Sequence, residues 1–92
     1  MKVFFHPRGA MSHYLPLGQY TIELKNSATL ADFYNELGLQ MGDKLSPTIW
    51  NAEKKQFRAP VFIKLGKKIL RKDSEPLHDC DNLALCMFVT GG

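Results

Sequence analysis

The chain has 92 residues, of which 45% are hydrophobic and 11% aromatic, and its formal net charge is +3. This length suits one compact core, and the apolar content is too high for an intrinsically disordered chain. We therefore expect one ordered domain over residues 1–92, with a flexible tail over about residues 90–92. No apolar run approaches the roughly 18 residues that a membrane-spanning helix needs, and the N-terminus lacks a signal-peptide pattern. These features predict a cytoplasmic protein without membrane contact.

The N-terminal half of the sequence predicts a β-hairpin followed by one helix. Lys2–His6 is a β-rich run, and Tyr20–Lys25 alternates apolar and polar residues, so the two runs are predicted antiparallel strands. Thr29–Asp32 has the spacing of a capping box, which marks a helix start. The helix then ends near Gly38 or Gly42. Its apolar face is predicted at Leu30, Phe33, Tyr34, Leu37 and Met41.

The C-terminal half predicts three more strands after a long connection. Ser46–Pro60 shows neither helical nor strand periodicity, although Trp50 and Phe57 within it are expected to pack in the core or in a loop. Val61–Ile63 predicts a strand, Lys67–Leu70 predicts a short one, and Leu83–Val89 reads as a central strand buried on both faces.

The order β-β-α-β-β-β indicates an α+β fold in which a mixed sheet covers a single helix. A last strand at the centre of this sheet would lie parallel to the first strand. The end of the chain would then project from the middle of one sheet edge.

The cysteine and histidine residues do not indicate a metal site. Cys80 and Cys86 are only six residues apart, and a bond between them would need a sharp reversal, so we expect reduced thiols. The three histidines show no ligand spacing, and the run His78–Asp81 is better explained as a turn than as a nucleophile with its base. We expect no bound cofactor.

Basic residues are concentrated in one part of the chain. Between Lys54 and Lys72 there are eight of them and no acidic residue: Lys54, Lys55, Arg58, Lys64, Lys67, Lys68, Arg71 and Lys72. The run is either a solvated hairpin face or a docking patch for an acidic partner, centred on Lys67 and Lys68. Few aromatic residues accompany it, so nucleic acid is a poor candidate for the partner.

The chain ends on Gly91 and Gly92, directly after the predicted last strand. Glycine tolerates almost any backbone conformation and has no side chain, so two in succession can thread a narrow channel. Four extended residues reach roughly 13 Å, which is enough to enter another protein's active site. A terminus of small residues also occurs where it has no function.

The C-terminal stretch Leu77–Gly92 resembles the ubiquitin-like β-grasp sulfur carriers, a family that includes the small subunit of molybdopterin synthase and the thiazole-biosynthesis carrier. It keeps the spacing from an Asp-x-Asp turn to the terminal diglycine: Leu77-His78-Asp79-Cys80-Asp81-Asn82-Leu83-Ala84-Leu85-Cys86-Met87-Phe88-Val89-Thr90-Gly91-Gly92. Two departures stand out. Cys80 replaces the usual turn glycine and is expected to adopt a positive φ angle, and Met87-Phe88 replaces the prolines before the tail.

The resemblance implies a β-grasp fold and a carrier that is itself a substrate rather than an enzyme. An E1-like adenylating enzyme would use ATP to activate the carboxyl group of Gly92, and a sulfur donor would convert it to a thiocarboxylate. Gly91 and Thr90 would thread the enzyme's channel. A larger synthase subunit would then accept the sulfur. The residues expected to contact these partners are Phe88, Met87, Val89, Lys67 and Lys68.

The strand period places Met87 and Phe88 on opposite faces, so an outward Phe88 would be an interface anchor, whereas both could also be ordinary core residues. The C-terminal sequence favours molybdopterin synthesis over thiazole synthesis as the pathway that this carrier would serve. Two other functions share the same fold: a ubiquitin-like modifier that forms isopeptide bonds through Gly92, and a plain interaction module in which the diglycine is incidental.

Overall fold

The structure is a computed structural model that describes residues 1–88, and it contains one helix and seven strands within that range. The elements are β1 (Lys2–Pro7), β2 (Tyr20–Glu23), α1 (Leu30–Met41), β3 (Trp50–Asn51), β4 (Gln56–Phe57), β5 (Val61–Leu65), β6 (Lys68–Leu70) and β7 (Asn82–Met87), with 3₁₀ turns at Gly9–His13 and Gly42–Lys44. Among these residues no helix is long and apolar enough to span a membrane.

Five strands form one mixed sheet in the order β2-β1-β7-β5-β6. β1 pairs antiparallel with β2 and parallel with β7, while β7 pairs antiparallel with β5. The last strand therefore lies at the centre of the sheet and runs in the same direction as the first. This arrangement confirms the predicted fold class and the predicted position of β7.

Helix α1 covers one face of the sheet and closes the hydrophobic core. The alternation in β1 turns Val3 and Phe5 inward, whereas Phe4 and His6 lie on the opposite face and remain partly exposed. Side chains from α1 and four strands are almost completely buried together: Val3, Phe5, Ile22, Leu30, Phe33, Leu37, Ile63, Leu83 and Leu85. The other face of the sheet has no helix over it in the described part of the chain.

The start of α1 has partners for its first backbone N–H groups. Thr29 Oγ1 accepts the N–H of Asp32 at 3.4 Å, and Asp32 Oδ2 accepts the N–H of Thr29 at 2.8 Å, which is the predicted capping box. The N–H groups of Leu30 and Ala31 donate to the carbonyls of Glu75 and Asp73. A distant segment of the chain therefore completes the helix cap.

The helix ends at Met41 and Gly42 follows it, so the second of the two predicted stops is the observed one. Gly38 lies inside the helix, where the Trp50 ring packs against it. A Cβ atom at Gly38 would lie 3.4 Å from Trp50 Cζ2, so glycine permits this close approach.

The segment predicted to be an unstructured connection contains a second, two-stranded sheet. β3 and β4 pair antiparallel, with Trp50 opposite Phe57, and both rings are buried with their centroids 4.9 Å apart. The Asn51 side chain accepts hydrogen bonds from the N–H groups of Glu53 and Lys54 and so shapes the turn between β3 and β4. Strands of two residues are too short to show a period of two, which explains why the sequence pattern missed them.

The turn before β7 adopts the conformation expected from the resemblance. Cys80 has a φ angle of +66°. The turn is held to β1, because Asp79 Oδ1 accepts the N–H of Lys2 at 2.9 Å and the Cys80 N–H donates to the Lys2 carbonyl at 2.7 Å. Cys80 and Cys86 are both free thiols. No group of three or more potential metal ligands occurs within residues 1–88.

We expect Thr29→Ala to lower the free energy of unfolding by about 1 kcal/mol, because the variant loses the side-chain acceptor for the Asp32 N–H. Urea denaturation measures this loss. The matched control is Thr48→Ala, at an exposed position, which should change stability by less than about 0.5 kcal/mol. Equal losses in the two variants would contradict a specific role for the cap.

Two carboxylates make the stability of the fold sensitive to acid. The hydrogen bond from the Thr29 backbone lowers the pKa of Asp32, and the one from the Lys2 backbone lowers the pKa of Asp79. Each of these carboxylates has a lower pKa in the folded state than its unfolded value of about 3.9. The stability that its charged form contributes is therefore complete above about pH 4 and is lost as the pH falls through the folded-state pKa. We expect Asp32→Asn and Asp79→Asn each to flatten the loss of unfolding free energy below about pH 4, measured by urea titration at a series of pH values. Asp43→Asn, at an exposed position, should keep the wild-type slope.

Candidate functional site

β7 is the last strand in the described part of the chain, and the C-terminal residues follow it in sequence. β7 ends at Met87, and the Phe88 N–H donates to the Pro60 carbonyl at 3.2 Å, so pairing with the β5 side continues through Phe88. The predicted tail residues Thr90, Gly91 and Gly92, and the predicted contact residue Val89, lie outside the described residues.

The two residues before the tail point in different directions, as strand alternation predicts. Phe88 is 50% exposed, and its ring stacks on Phe62 with centroids 4.2 Å apart and an angle of 28° between the rings. Met87 is partly buried and packs against the core. Phe88 is therefore a surface aromatic residue held by a neighbour, not a core residue.

The sheet face opposite α1 extends from this aromatic pair across three strands. Register pairing places Cys86 opposite Phe62, and Ala84 between Lys64 on β5 and His6 on β1. Lys64 is also paired with Ile69 on β6. We call this the open face, and it presents apolar and basic side chains next to each other.

The basic residues between Lys54 and Lys72 belong to several elements of the fold. Lys55 Nζ donates to Asn35 on α1 at 3.0 Å, and Arg58 Nε donates to the Pro47 carbonyl at 2.8 Å, so these two residues support the β3–β4 hairpin. Lys67 is exposed in the turn between β5 and β6. Lys68 forms an ion pair with Glu75 at 2.9 Å. Lys64 alone of these residues is placed by strand pairing beside Ala84 on the open face.

A groove of about 450 Å³ adjoins Phe88 at the edge of the sheet. Phe57, Val61 and Phe88 supply part of its apolar lining, and Tyr34 and Asp73 supply polar groups. Burial raises the pKa of Tyr34 to about 12, with a smaller contribution from the charge of Asp73. The Tyr34 hydroxyl therefore stays protonated at neutral pH and is suited to hydrogen bonding rather than to base catalysis.

Sequence reasoning predicted Phe88 and Met87 at this site but missed the residues that surround them. Phe62 supports the Phe88 ring, and His6 lies across the open face from Lys64. The alternation of β1, which leaves Phe4 and His6 facing away from the core, was the signal that could have identified this face.

The fold is similar to that of several solved ubiquitin-like proteins. SAMP1, the small archaeal modifier protein 1 of Haloferax volcanii, superposes with a TM-score of 0.77 and 14% sequence identity over 100% of both chains. A second structure of that protein gives a TM-score of 0.70 at 12% identity, covering 91% of this chain and 93% of the other. A putative molybdopterin converting factor, subunit 1, from Pyrococcus furiosus gives 0.67 at 18% identity, covering 96% and 98%.

Sequence comparison adds nothing to this likeness: no protein-family model matches the chain, and no curated protein matches it. At these identities the similarity concerns the fold. The chain has the β-grasp fold, of the kind that the resemblance to the ubiquitin-like sulfur carriers implied.

Proposed function

We propose that the chain is a sulfur carrier protein whose terminal carboxyl group, on Gly92, is adenylated and converted to a thiocarboxylate. The observation that supports this most is the position of β7. It is the middle strand of the sheet, paired on both sides, and five residues of the sequence follow Met87, the last two being Gly91 and Gly92. The fold thus provides a rigid base directly before a short run that ends in two glycines.

The chemistry explains why such a chain needs an activating partner. A carboxylate is a poor acyl donor, so its oxygen would attack the α-phosphorus of ATP and release pyrophosphate. Hydrosulfide released by a sulfur donor would then attack the acyl carbon and displace AMP, which leaves the thiocarboxylate. The carrier would serve as substrate in both steps, with Gly91 and Thr90 in the channel of the adenylating enzyme.

The partners of this function are an E1-like adenylating enzyme, a sulfur donor and a larger synthase subunit, which would meet the carrier in the cytoplasm. The likeness to a putative molybdopterin converting factor subunit favours molybdopterin synthesis over thiazole synthesis. Docking would use Phe88 as an aromatic anchor, together with Met87 and Val89. Lys67 and Lys68, at the opposite end of β5, would make a separate basic contact. The half-exposed Phe88 ring supports this assignment.

A second candidate function is a protein modifier joined to lysine side chains through Gly92. The likeness to a small archaeal modifier protein favours it, because that chain matches over its full length. Both functions begin with an adenylated C-terminus and differ in the nucleophile that follows. Conjugates of higher mass in extracts of the source organism would identify the modifier, whereas free thiocarboxylate would identify the carrier.

We expect the untagged protein isolated from its own cells to show a mass increase equal to replacing one oxygen by sulfur, located at Gly92 by fragmentation. Intact-mass spectrometry measures it. In vitro, the E1-like enzyme of the source organism should exchange pyrophosphate with ATP in the presence of the full chain, and not with a chain that lacks Gly92. If the truncated chain still accepted AMP, Gly92 would not be the reacting residue.

We expect Phe88→Ala to raise the KM of the carrier for its adenylating enzyme by about tenfold or more, as loss of a central aromatic anchor does. The kcat should remain close to that of the wild type. Leu39→Ala is the matched control, because Leu39 is 69% exposed on α1, on the other side of the sheet. Equal effects of the two substitutions would exclude Phe88 as an anchor.

A further inference from the structure

A shallow depression lies on the open face, and strand register explains its floor. Ala84 on β7 lies between His6 on β1 and Lys64 on β5, so a methyl group is flanked by two longer side chains. The depression has a volume of about 200 Å³. Cys86 and Asn82 extend the depression along β7, and Gly66, which has no side chain, lines it as well.

The lining of this depression is cationic on both sides. Arg8 and His6 stand on the β1 side, and Lys64 stands on the β5 side. Arg8 Nε donates to His6 Nε2 at 3.5 Å, which directs the guanidinium toward the imidazole. No carboxylate belongs to the lining in the range 1–88. By contrast, the groove beside β2 is lined by Glu23, Asp32 and Glu36 together with a lysine.

We propose that this depression binds an aspartate or glutamate side chain of the protein that activates the C-terminal carboxyl group. The identity of the partner rests on the proposed function; the preference for a carboxylate rests on the lining. Arg8 offers a planar set of N–H donors that matches a carboxylate, and Lys64 offers an ammonium group from the opposite side.

A protein carboxylate fits the site better than a free anion does because Arg8, Gly66 and Asn82 in the lining are exposed to solvent. Exposed ion pairs contribute little to affinity, since water and salt screen them. A partner that covers the open face would exclude this water and strengthen the pairs. Cys86 in the lining is paired with Phe62, so the depression is continuous with the aromatic anchor that Phe88 and Phe62 form.

Charge reversal tests the proposal in the complete carrier. We expect Arg8→Glu and Lys64→Glu each to raise KM for the adenylating enzyme by about tenfold or more, with kcat unchanged at saturation, because a like charge then faces the partner's carboxylate. The control Lys44→Glu makes the same change of net charge at an exposed residue after α1 and should alter KM less than about threefold. Lys64→Gln, which removes the charge but keeps a polar side chain, should give an intermediate KM. Equal effects of all three reversals, or none, would overturn the proposal.

A second measurement does not depend on the enzyme. In a ¹⁵N–¹H NMR titration of the full chain, the peptide acetyl-Leu-Glu-Leu-amide should shift the amides of His6, Lys64 and Ala84, and the matched peptide with Gln should not. Equal shifts from both peptides would overturn the proposal. Tighter binding of inorganic phosphate at the same amides would overturn it in favour of a small-anion site. If the peptide result holds but Gly92 is never adenylated, the proposed function fails and the carboxylate site stands.

Discussion

The parallel pairing of β1 with β7 is the constraint on which the rest of the structure depends. Parallel neighbours cannot be joined by a tight turn, so the helix, the β3–β4 hairpin and β5–β6 all lie between these two strands in the chain. The pairing buries Leu83 and Leu85 next to Phe5 against α1. It also makes β1 and β7 end at the same sheet edge, so Arg8, whose N–H donates to the Leu85 carbonyl, lies close to the place where the tail begins.

The segment before β7 links this pairing to the helix. The carbonyls of Asp73 and Glu75 accept the first N–H groups of α1, and the Leu77 N–H donates to the Ala28 carbonyl. The first N–H groups of the helix, which have no acceptor within the helix itself, thus find acceptors in the segment that leads the chain into the central strand. The start of the helix and the segment that leads into β7 are therefore joined by backbone hydrogen bonds.

The individual strands of the main sheet, the helix and its cap could be predicted from the sequence because each is encoded locally, whereas the strand order is not. Alternation in Tyr20–Glu23 and the Thr29–Asp32 spacing need no knowledge of distant residues. The depression could not be predicted in this way, because His6, Lys64 and Ala84 meet only through the register of three strands. The basic run shows the same limit: Lys55 and Lys64 belong to different elements, so a charge pattern along the chain does not by itself specify a surface.

A single α-helix covers one face of a five-stranded sheet, and the described chain places no α-helix on the other face. Exposed apolar side chains on that face therefore pack only against their neighbours. Phe88 packs against Phe62, whose ring stacks at 4.2 Å. Stacking restricts the rotamers of an exposed aromatic side chain before any partner arrives, which reduces the entropy lost on binding. The same argument applies to Arg8, which His6 orients at 3.5 Å. Under the proposed carrier function the reacting group belongs to Gly92, and the folded domain would contribute by position. It would present Phe88 and Arg8 near the end of β7, the strand that leads toward Gly92 in the sequence.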